Sequence, residues 1–324
     1  MRILCTAPYF RPVPERYAAL FQKHGIAYDN PFVAQNMSEA ELLACIEQYD
    51  GAIAGDDEFT ARVIEKGARS RLKVIAKWGV GINAIDLAAA ERHGVAVRRS
   101  PGILSDAVAD QAWGFILMLA RRLHASDRRV REGEWVKLVG LGLRGRTLGI
   151  IGVGDIGKQI ALRALGFGMR LLGNDIRPID RAYLGYTGTQ MVSKDELLGA
   201  ADFVVLACDL NPTSHHLLAG REFALFKRTA FLVNIARGAV VDEPALVQAL
   251  QGGLIAGAAL DVYEEEPLPA NSPLRALANV VLNAHNAFNA DTAVAAVSEN
   301  TVRELLRVLK PEAVPDLEAG VSAG

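Results

Sequence analysis

The 324-residue chain is poor in cysteine: Cys5, Cys45 and Cys208 stand far apart. An odd and scattered set builds no disulfide framework and has no metal-ligand spacing, so a reducing compartment and no metal are expected. Long apolar runs are missing too. None approaches the ~20 residues of a membrane span, and "MRILCTAPYF" has too few apolar residues before its prolines for a signal peptide. A cytoplasmic protein is the expectation. Net charge is also lacking: 35 Lys and Arg against 37 Asp and Glu leave a formal −2. That balance does not point to nucleic acid or an anionic membrane as partner. One basic segment, "ARRLHASDRRVRE" (120–132), follows an apolar stretch and reads as a solvated helix face or a subunit contact. Internal repeats and low-complexity segments are absent from the sequence.

What the chain does have is apolar residues, 51% of the total, enough for large cores and roughly two domains. Up to about Arg99, short apolar strands ("RILCTA", "GAIAG", "LKVIAKW") alternate with helical stretches. In "SEAELLACIEQY", Ser38 and Glu41 have capping-box spacing, and "IDLAAAERHG" ends on Gly94, a C-terminal cap position. "SPGILSDAVADQAWGFILMLARRL" (100–123) reads as one long buried helix connecting the domains. Six further strand-like runs follow: "TLGIIGVG", "MRLLGND", "ADFVVLAC", "TAFLVNIARG", "LIAGAALDV" and "NVVLNAH". Such alternation predicts parallel sheets covered by helices. A helix is predicted in "TAVAAVSENTVRELLRVLK" (292–310), and the small, polar "DLEAGVSAG" (316–324) is expected to fray.

The most specific local feature is "GIIGVGDIGKQIALRALGFGMRLLGND". Gly152, Gly154 and Gly157 form GxGxxG between a strand and a helix. A Cβ at Gly152 or Gly154 is expected to hinder the tight turn and the approach of a pyrophosphate, while Gly157 lets helix and strand pack closely. Amides at the start of the helix 155–165 then face the anion, favoured by the helix dipole. Asp175 ends the next strand, where a carboxylate holds the ribose hydroxyls and repels a 2′-phosphate. NAD is therefore expected over NADP. Arg177 either softens that preference or is simply solvated.

Open parallel sheets bind ligands beyond the carboxyl ends of their strands. Arg237 follows "FLVNIA", Asp261 and the acidic "YEEEP" follow "GAAL", and His285 follows "VVLN". Each alone has a plainer reading: a surface ion pair, a solvated acidic loop, a polar residue near a core. Together they suit reduction of a 2-keto acid. An imidazole gives the carbonyl oxygen its proton, a carboxylate, assigned to Glu266, fixes the tautomer, and a guanidinium holds the substrate carboxylate.

At these residues the chain resembles the D-isomer-specific 2-hydroxyacid dehydrogenases, through "KWGVGINAIDL", "GVGDIG", "VNIARGAVVDEPALVQAL", "AALDVYEEEP" and the histidine of "NAHNA". The resemblance implies a Rossmann-type, doubly wound parallel-sheet NAD domain (101–285). It is inserted into a smaller flavodoxin-like α/β substrate domain (1–100 plus 286–324), with hinges near Ser100 and Asn286 and a closing cleft. It implies Arg237, Glu266 and His285 as the catalytic set. Asp155, Ile156, Asp175, the backbone of Ile235, Ala236 and Arg237, and Asp261 are implied to contact NAD. In the implied substrate loop, Val80 and Gly81 amides hold the substrate carboxylate, Gly79 lies between, and Lys77 and Trp78 face its side chain; a merely packed Trp78 is the alternative. A homodimer through the NAD domain is implied as well.

Two departures bear on substrate identity. Ala284 replaces the family's usual proline, and "NAF" replaces a small apolar pair, making Asn286 and Phe288 candidate pocket residues. Two other functions share the scaffold: an oxidoreductase of another small anion such as phosphite, and a non-catalytic NAD-sensing corepressor. Formate is disfavoured by Glu266, where formate enzymes carry glutamine, and the corepressor by the lack of a recruiting tail.

Overall fold

The computed structural model describes residues 1–321, and the chain divides into two compact units. Unit 1 comprises Met1–Leu104 and the chain from Ala290 onward; unit 2 is Ser105–Asn289. The divisions fall at the starts of two helices, Ser105–Arg121 and Asp291–Leu309, rather than at the expected residues 100 and 286.

Unit 1 is built on five parallel strands: β1 (Arg2–Cys5), β2 (Ala27–Asp29), β3 (Gly51–Ala54), β4 (Val74–Lys77) and β5 (Ala96–Arg98), in the order β2-β1-β3-β4-β5. β3 and β4 are buried along their whole length, the pattern of strands covered on both faces. β2 and β5 have no counterpart in the strand predictions, because they are three-residue edges with half-exposed side chains and no continuous apolar run. The capping box forms as spaced: Ser38 Oγ accepts from the Glu41 amide, and Glu41 accepts from the Ser38 amide at 2.8 Å. Helix Leu87–Arg92 stops before Gly94, which is left-handed at φ +69°.

Unit 2 carries seven parallel strands: β6 (Thr147–Ile151), β7 (Arg170–Asn174), β8 (Gln190–Met191), β9 (Phe203–Leu206), β10 (Phe231–Asn234), β11 (Gly257–Leu260) and β12 (Val280–Leu282). Their order, β12-β11-β10-β9-β6-β7-β8, reverses direction between β6 and β9, the doubly wound arrangement. Six strands match the six predicted runs. The seventh, β8, is an exposed two-residue edge that pairs Leu172 with Gln190. Val204, Leu232, Ala258 and Leu206 form a layer of its core with Leu197, Leu198 and Phe223 from covering helices.

Three expectations need correction. The long helix begins at Ser105, not Ser100, because Pro101 and Gly102 (φ +76°) make a turn. It ends at Arg121; Arg122 is left-handed, and a separate helix, Leu123–Arg131, follows with no buried residue. The C-terminal segment expected to fray from Asp316 is helical over Val314–Val321; the rest of that segment, 322–324, lies outside the described residues.

Candidate active site

The glycine loop joins β6 to the helix Asp155–Gly166 at the point where the unit 2 strand order reverses. Its three glycines do different work. Gly152 has φ +94°, and a Cβ there would lie 2.5 Å from the Cys208 amide nitrogen, so the turn requires glycine. A Cβ at Gly157 would lie 2.1 Å from the Gly152 carbonyl oxygen, so the helix cannot approach the turn with any side chain there. Gly154 departs from the turn half of its expectation. Its φ of −77° suits any residue, and a Cβ would meet nothing within 4 Å. Glycine is not needed there for the turn; it leaves open the space beside the helix N-terminus, where a pyrophosphate fits. Asp155 and Ile156 open that helix. The Trp113 indole donates to the Ile160 carbonyl at 3.0 Å, and Arg163 binds Asp106 and Asp110, tying the helix down.

Asp175 directly follows β7. Its Oδ2 accepts from the Val153 amide at 2.7 Å and its Oδ1 from the Arg177 amide at 2.8 Å. The carboxylate is thereby locked against the glycine loop with lone pairs left for a ribose diol. The Arg177 side chain is 74% exposed, the solvated alternative, with Asp209 3.5 Å away on the same exposed surface. Open space at Gly154, the helix N-terminus and the fixed Asp175 together fit an NAD pyrophosphate and ribose.

Three adjacent strands, β10, β11 and β12, carry Arg237, Asp261 with Glu266, and His285 after their carboxyl ends. His285 has a left-handed backbone (φ +49°), unusual for a residue with a Cβ, and its amide donates to the Asp261 carbonyl at 2.7 Å. The imidazole Nδ1 sits 2.7 Å from Glu266 Oε2, and Glu266 Oε1 accepts from the Tyr263 amide at 3.0 Å. Both side chains are about one-fifth exposed (21% and 20%), enclosed yet reachable. Of the three glutamates in "YEEEP", Glu266 is the one that meets His285, while Glu264 binds His216 at 2.7 Å. Arg237 follows β10; its Nη1 donates to the Ala236 carbonyl at 2.8 Å, and its own carbonyl accepts from Asn234 Nδ2. Ile235 and Ala236 are buried beneath it.

Asp261 has a role the sequence did not disclose. It is 1% exposed, and its carboxylate accepts from Asn283 Nδ2 (2.7 Å) and the amides of Asn286 (2.9 Å) and Ala287 (3.0 Å). It clamps the loop on both sides of His285. Tyr263 is a second anchor missed in the sequence. Its hydroxyl donates to the Asn283 carbonyl at 2.7 Å, and burial pushes its phenol up to about 12. Gly238 allows the acidic loop to pack on the Arg237 turn, since a Cβ there would overlap the Tyr263 carbonyl carbon at 1.8 Å. Phe288 sets its ring edge-on to the His285 imidazole, centroids 6.5 Å apart, and Asn286 Oδ1 accepts from Asn289.

In unit 1, the expected substrate loop follows β4. Lys77 is buried and its ammonium lies 3.0 Å from Asp56. Trp78 is packed rather than open: its indole donates to Ser298 Oγ at 2.9 Å, and its ring stacks on Tyr9. Gly79 has φ +121°, which turns the chain toward Val80 and Gly81. No helix among the described residues is long and apolar enough to cross a membrane.

Residues 113–287 match the model of the NAD-binding domain of D-isomer specific 2-hydroxyacid dehydrogenases. A glyoxylate reductase of Korarchaeum cryptofilum is 40% identical over 315 residues, covering 95% of this chain and 93% of its own. A D-3-phosphoglycerate dehydrogenase of Methanocaldococcus jannaschii is 37% identical over 86% of this chain and 53% of its own. Among solved structures, the D-lactate dehydrogenase of Aquifex aeolicus complexed with NAD and lactic acid superposes with a TM-score of 0.83 at 26% identity, covering 99% of this chain and 98% of that one. With the doubly wound sheet, the glycine loop and the Asp175 anchor beside these matches, the chain belongs to the D-isomer specific 2-hydroxyacid dehydrogenase family and is an NAD-dependent oxidoreductase of small 2-keto and D-2-hydroxy acids.

Proposed function

We propose that the chain reduces a small 2-keto acid of the glyoxylate or hydroxypyruvate kind, with His285 as general acid, Glu266 as its partner and Arg237 as the substrate's carboxylate anchor. The observation that carries this is the His285 Nδ1–Glu266 Oε2 contact at 2.7 Å. A carboxylate there makes Nδ1 the protonated nitrogen it faces and leaves Nε2 for the substrate. NADH, when bound, would supply the hydride to the carbonyl carbon. Nε2–H gives its proton to the carbonyl oxygen, and the imidazole takes one back in the oxidative direction. Glu266 stabilises the imidazolium form and, held by the Tyr263 amide, keeps the ring from turning. The Arg237 fork binds a carboxylate through two parallel hydrogen bonds, which orients the keto group. Asp261 fixes the His285 loop. The left-handed backbone at His285, maintained by that clamp, supports a site held for function.

The test is a panel of glyoxylate, hydroxypyruvate and pyruvate with NADH, following loss of NADH absorbance and the chirality of the lactate formed from pyruvate. NADH-dependent turnover with a D product is expected. No turnover with any of the three, or an L product, would overturn the reading and favour a sensor or another small anion.

The same reading includes a cytoplasmic homodimer built through unit 2. Its support is the apolar surface after the buried helix: Trp135 is 85% exposed and Val139 88%, beside half-exposed Leu123 and Val130. Sedimentation should give a dimer that Trp135→Glu weakens; a monomeric wild-type protein would contradict this.

A further inference from the structure

Within unit 2, His216 ties together the loops that carry Arg237 and Glu266. The segment after β9 runs beside the turn after β10. The His216 amide donates to the Ala239 carbonyl at 2.8 Å, Leu218 bridges to Val241, and the Asp242 amide donates to the Leu218 carbonyl at 2.9 Å. The Lys194 ammonium holds the Leu217 carbonyl at 3.1 Å. His216 itself is left-handed, φ +47°, a conformation that residues with a Cβ seldom adopt. Its imidazole meets the loop after β11: Nε2 lies 2.7 Å from Glu264 Oε1, while Nδ1 lies 4.0 Å from Asp242 Oδ2. The ring stacks on that of His215, centroids 4.1 Å apart.

Glu264 sits among other carboxylates. Its amide donates to Glu243 Oε2 and its Oε1 accepts from the Glu243 amide, each at 3.3 Å. Burial first, and then the charges of Glu264 and Glu265, push the Glu243 carboxyl up against the pull of the Glu264 amide. Like charges gathered this way repel, and a hydrogen-bond donor facing Glu264 offsets the repulsion. The His216 Nε2–H is such a donor. Two residues beyond Glu264, Glu266 Oε2 meets His285 Nδ1 at 2.7 Å.

We propose that His216 is a positioning residue for the acid–base pair: by holding Glu264 it keeps the acidic loop against the Arg237 turn, in the placement that delivers Glu266 to His285. This rests on the dehydrogenase reading above and adds a residue to it. The two side chains in contact are 38% and 32% exposed, so the bond contributes little to stability as an exposed pair. Its effect is on where the loop rests, and through Glu266 on how firmly the His285 ring is oriented.

The test compares two amides at position 216. Glutamine extends to where Nε2 stands and can still donate to Glu264. Asparagine stops near Nδ1, yet it tolerates the left-handed backbone better. His216→Gln is therefore expected to reduce glyoxylate in a single turnover at a rate within about twofold of wild type, and His216→Asn about three- to tenfold more slowly, the low end for an outer hydrogen bond that is partly exposed. NADH affinity should stay within about threefold in both, because the loss falls on the chemical step. Glu264→Ala should slow the step as His216→Asn does, and the double variant no further, since both remove one contact. Thermal unfolding checks each fold. Asparagine serving as well as glutamine would assign His216 to the backbone turn alone and overturn the proposal. Additive losses in the double variant would do the same, as would a wild-type rate in Glu264→Ala, which probes the contact even if His216→Asn does not fold. A wild type that oxidises NADH with no keto acid fails the dehydrogenase reading and this proposal with it, whereas an active wild type with the wrong order of variants fails the proposal alone.

Discussion

Two alanine substitutions three residues apart should separate turn geometry from cofactor room. At Gly157 an added Cβ sits 2.1 Å from the Gly152 oxygen and 3.2 Å from Ile150 Cγ2. A relaxed carbon–oxygen contact needs over an ångström more, so the helix Asp155–Gly166 must back away from β6. Overpacking of this kind costs about 1–3 kcal/mol. Unit 2 has the size at which 1 kcal/mol moves a melting midpoint by roughly 2–4 °C, so Gly157→Ala should lose about 2–12 °C and weaken NADH binding as well. At Gly154 the added Cβ meets nothing within 4 Å, and φ is −77°. Gly154→Ala should therefore melt within about 2 °C of wild type, helped slightly by a stiffer unfolded chain. Yet its methyl group occupies the space assigned to the pyrophosphate, so NADH should bind about ten- to a hundredfold more weakly, as 1–3 kcal/mol of crowding implies. Differential scanning fluorimetry and NADH fluorescence titration read the two effects separately. The reasoning is refuted if Gly154→Ala destabilises the fold as much as Gly157→Ala, or if it binds NADH with unchanged affinity.

Other substitutions test the neighbouring assignments. Asp175→Asn should weaken NADH about tenfold while moving preference toward NADPH, since it removes the charge that repels a 2′-phosphate; titrations giving an unchanged NADPH-to-NADH ratio would contradict the anchor. Asp261→Ala strands the amides of Asn286 and Ala287 in a buried site, so unit 2 should lose about 1–3 kcal/mol in chemical denaturation; wild-type stability would show that the clamp is dispensable. Burial pushes the Glu222 carboxyl up, but Lys194, Arg221 and the Ala219 amide outweigh it and hold the group at about 2, below its ordinary 4.5. The stability it provides is thus complete above pH 4.5 and lost as pH falls toward 2. Glu222→Gln should be less stable than wild type at pH 7 and converge with it near pH 2; a gap that does not narrow in acid would refute the assignment.

Much of unit 2 was legible because its strands are covered on both faces and read as unbroken apolar runs, so β6, β7, β9, β10, β11 and β12 stand out between glycine and polar punctuation. The edge strands β2, β5 and β8 did not, since partial exposure removes that signal. Strand ends also exposed Arg237 and His285 to inference, because open sheets collect chemistry there. What stayed hidden were contacts between residues distant in the chain. Asp261 and Asn286 are 25 positions apart, and no local pattern states that one carboxylate will hold the other's amide. Among the three glutamates, by contrast, the sequence reading had already assigned Glu266, and the folded loop brings that carboxylate to 2.7 Å from Nδ1. Gly154 was expected to serve both the turn and a pyrophosphate, and the backbone removes only the first reason, since φ is −77° and a Cβ would meet nothing within 4 Å.

The most direct test of the central claim, that His285 with Glu266 handles the proton, is the single-turnover rate of His285→Ala with glyoxylate and saturating NADH, set beside its NADH affinity. The rate should fall by about 10²–10⁴ while NADH affinity stays within about threefold, as loss of a general acid requires. A rate within a few-fold of wild type would contradict the account.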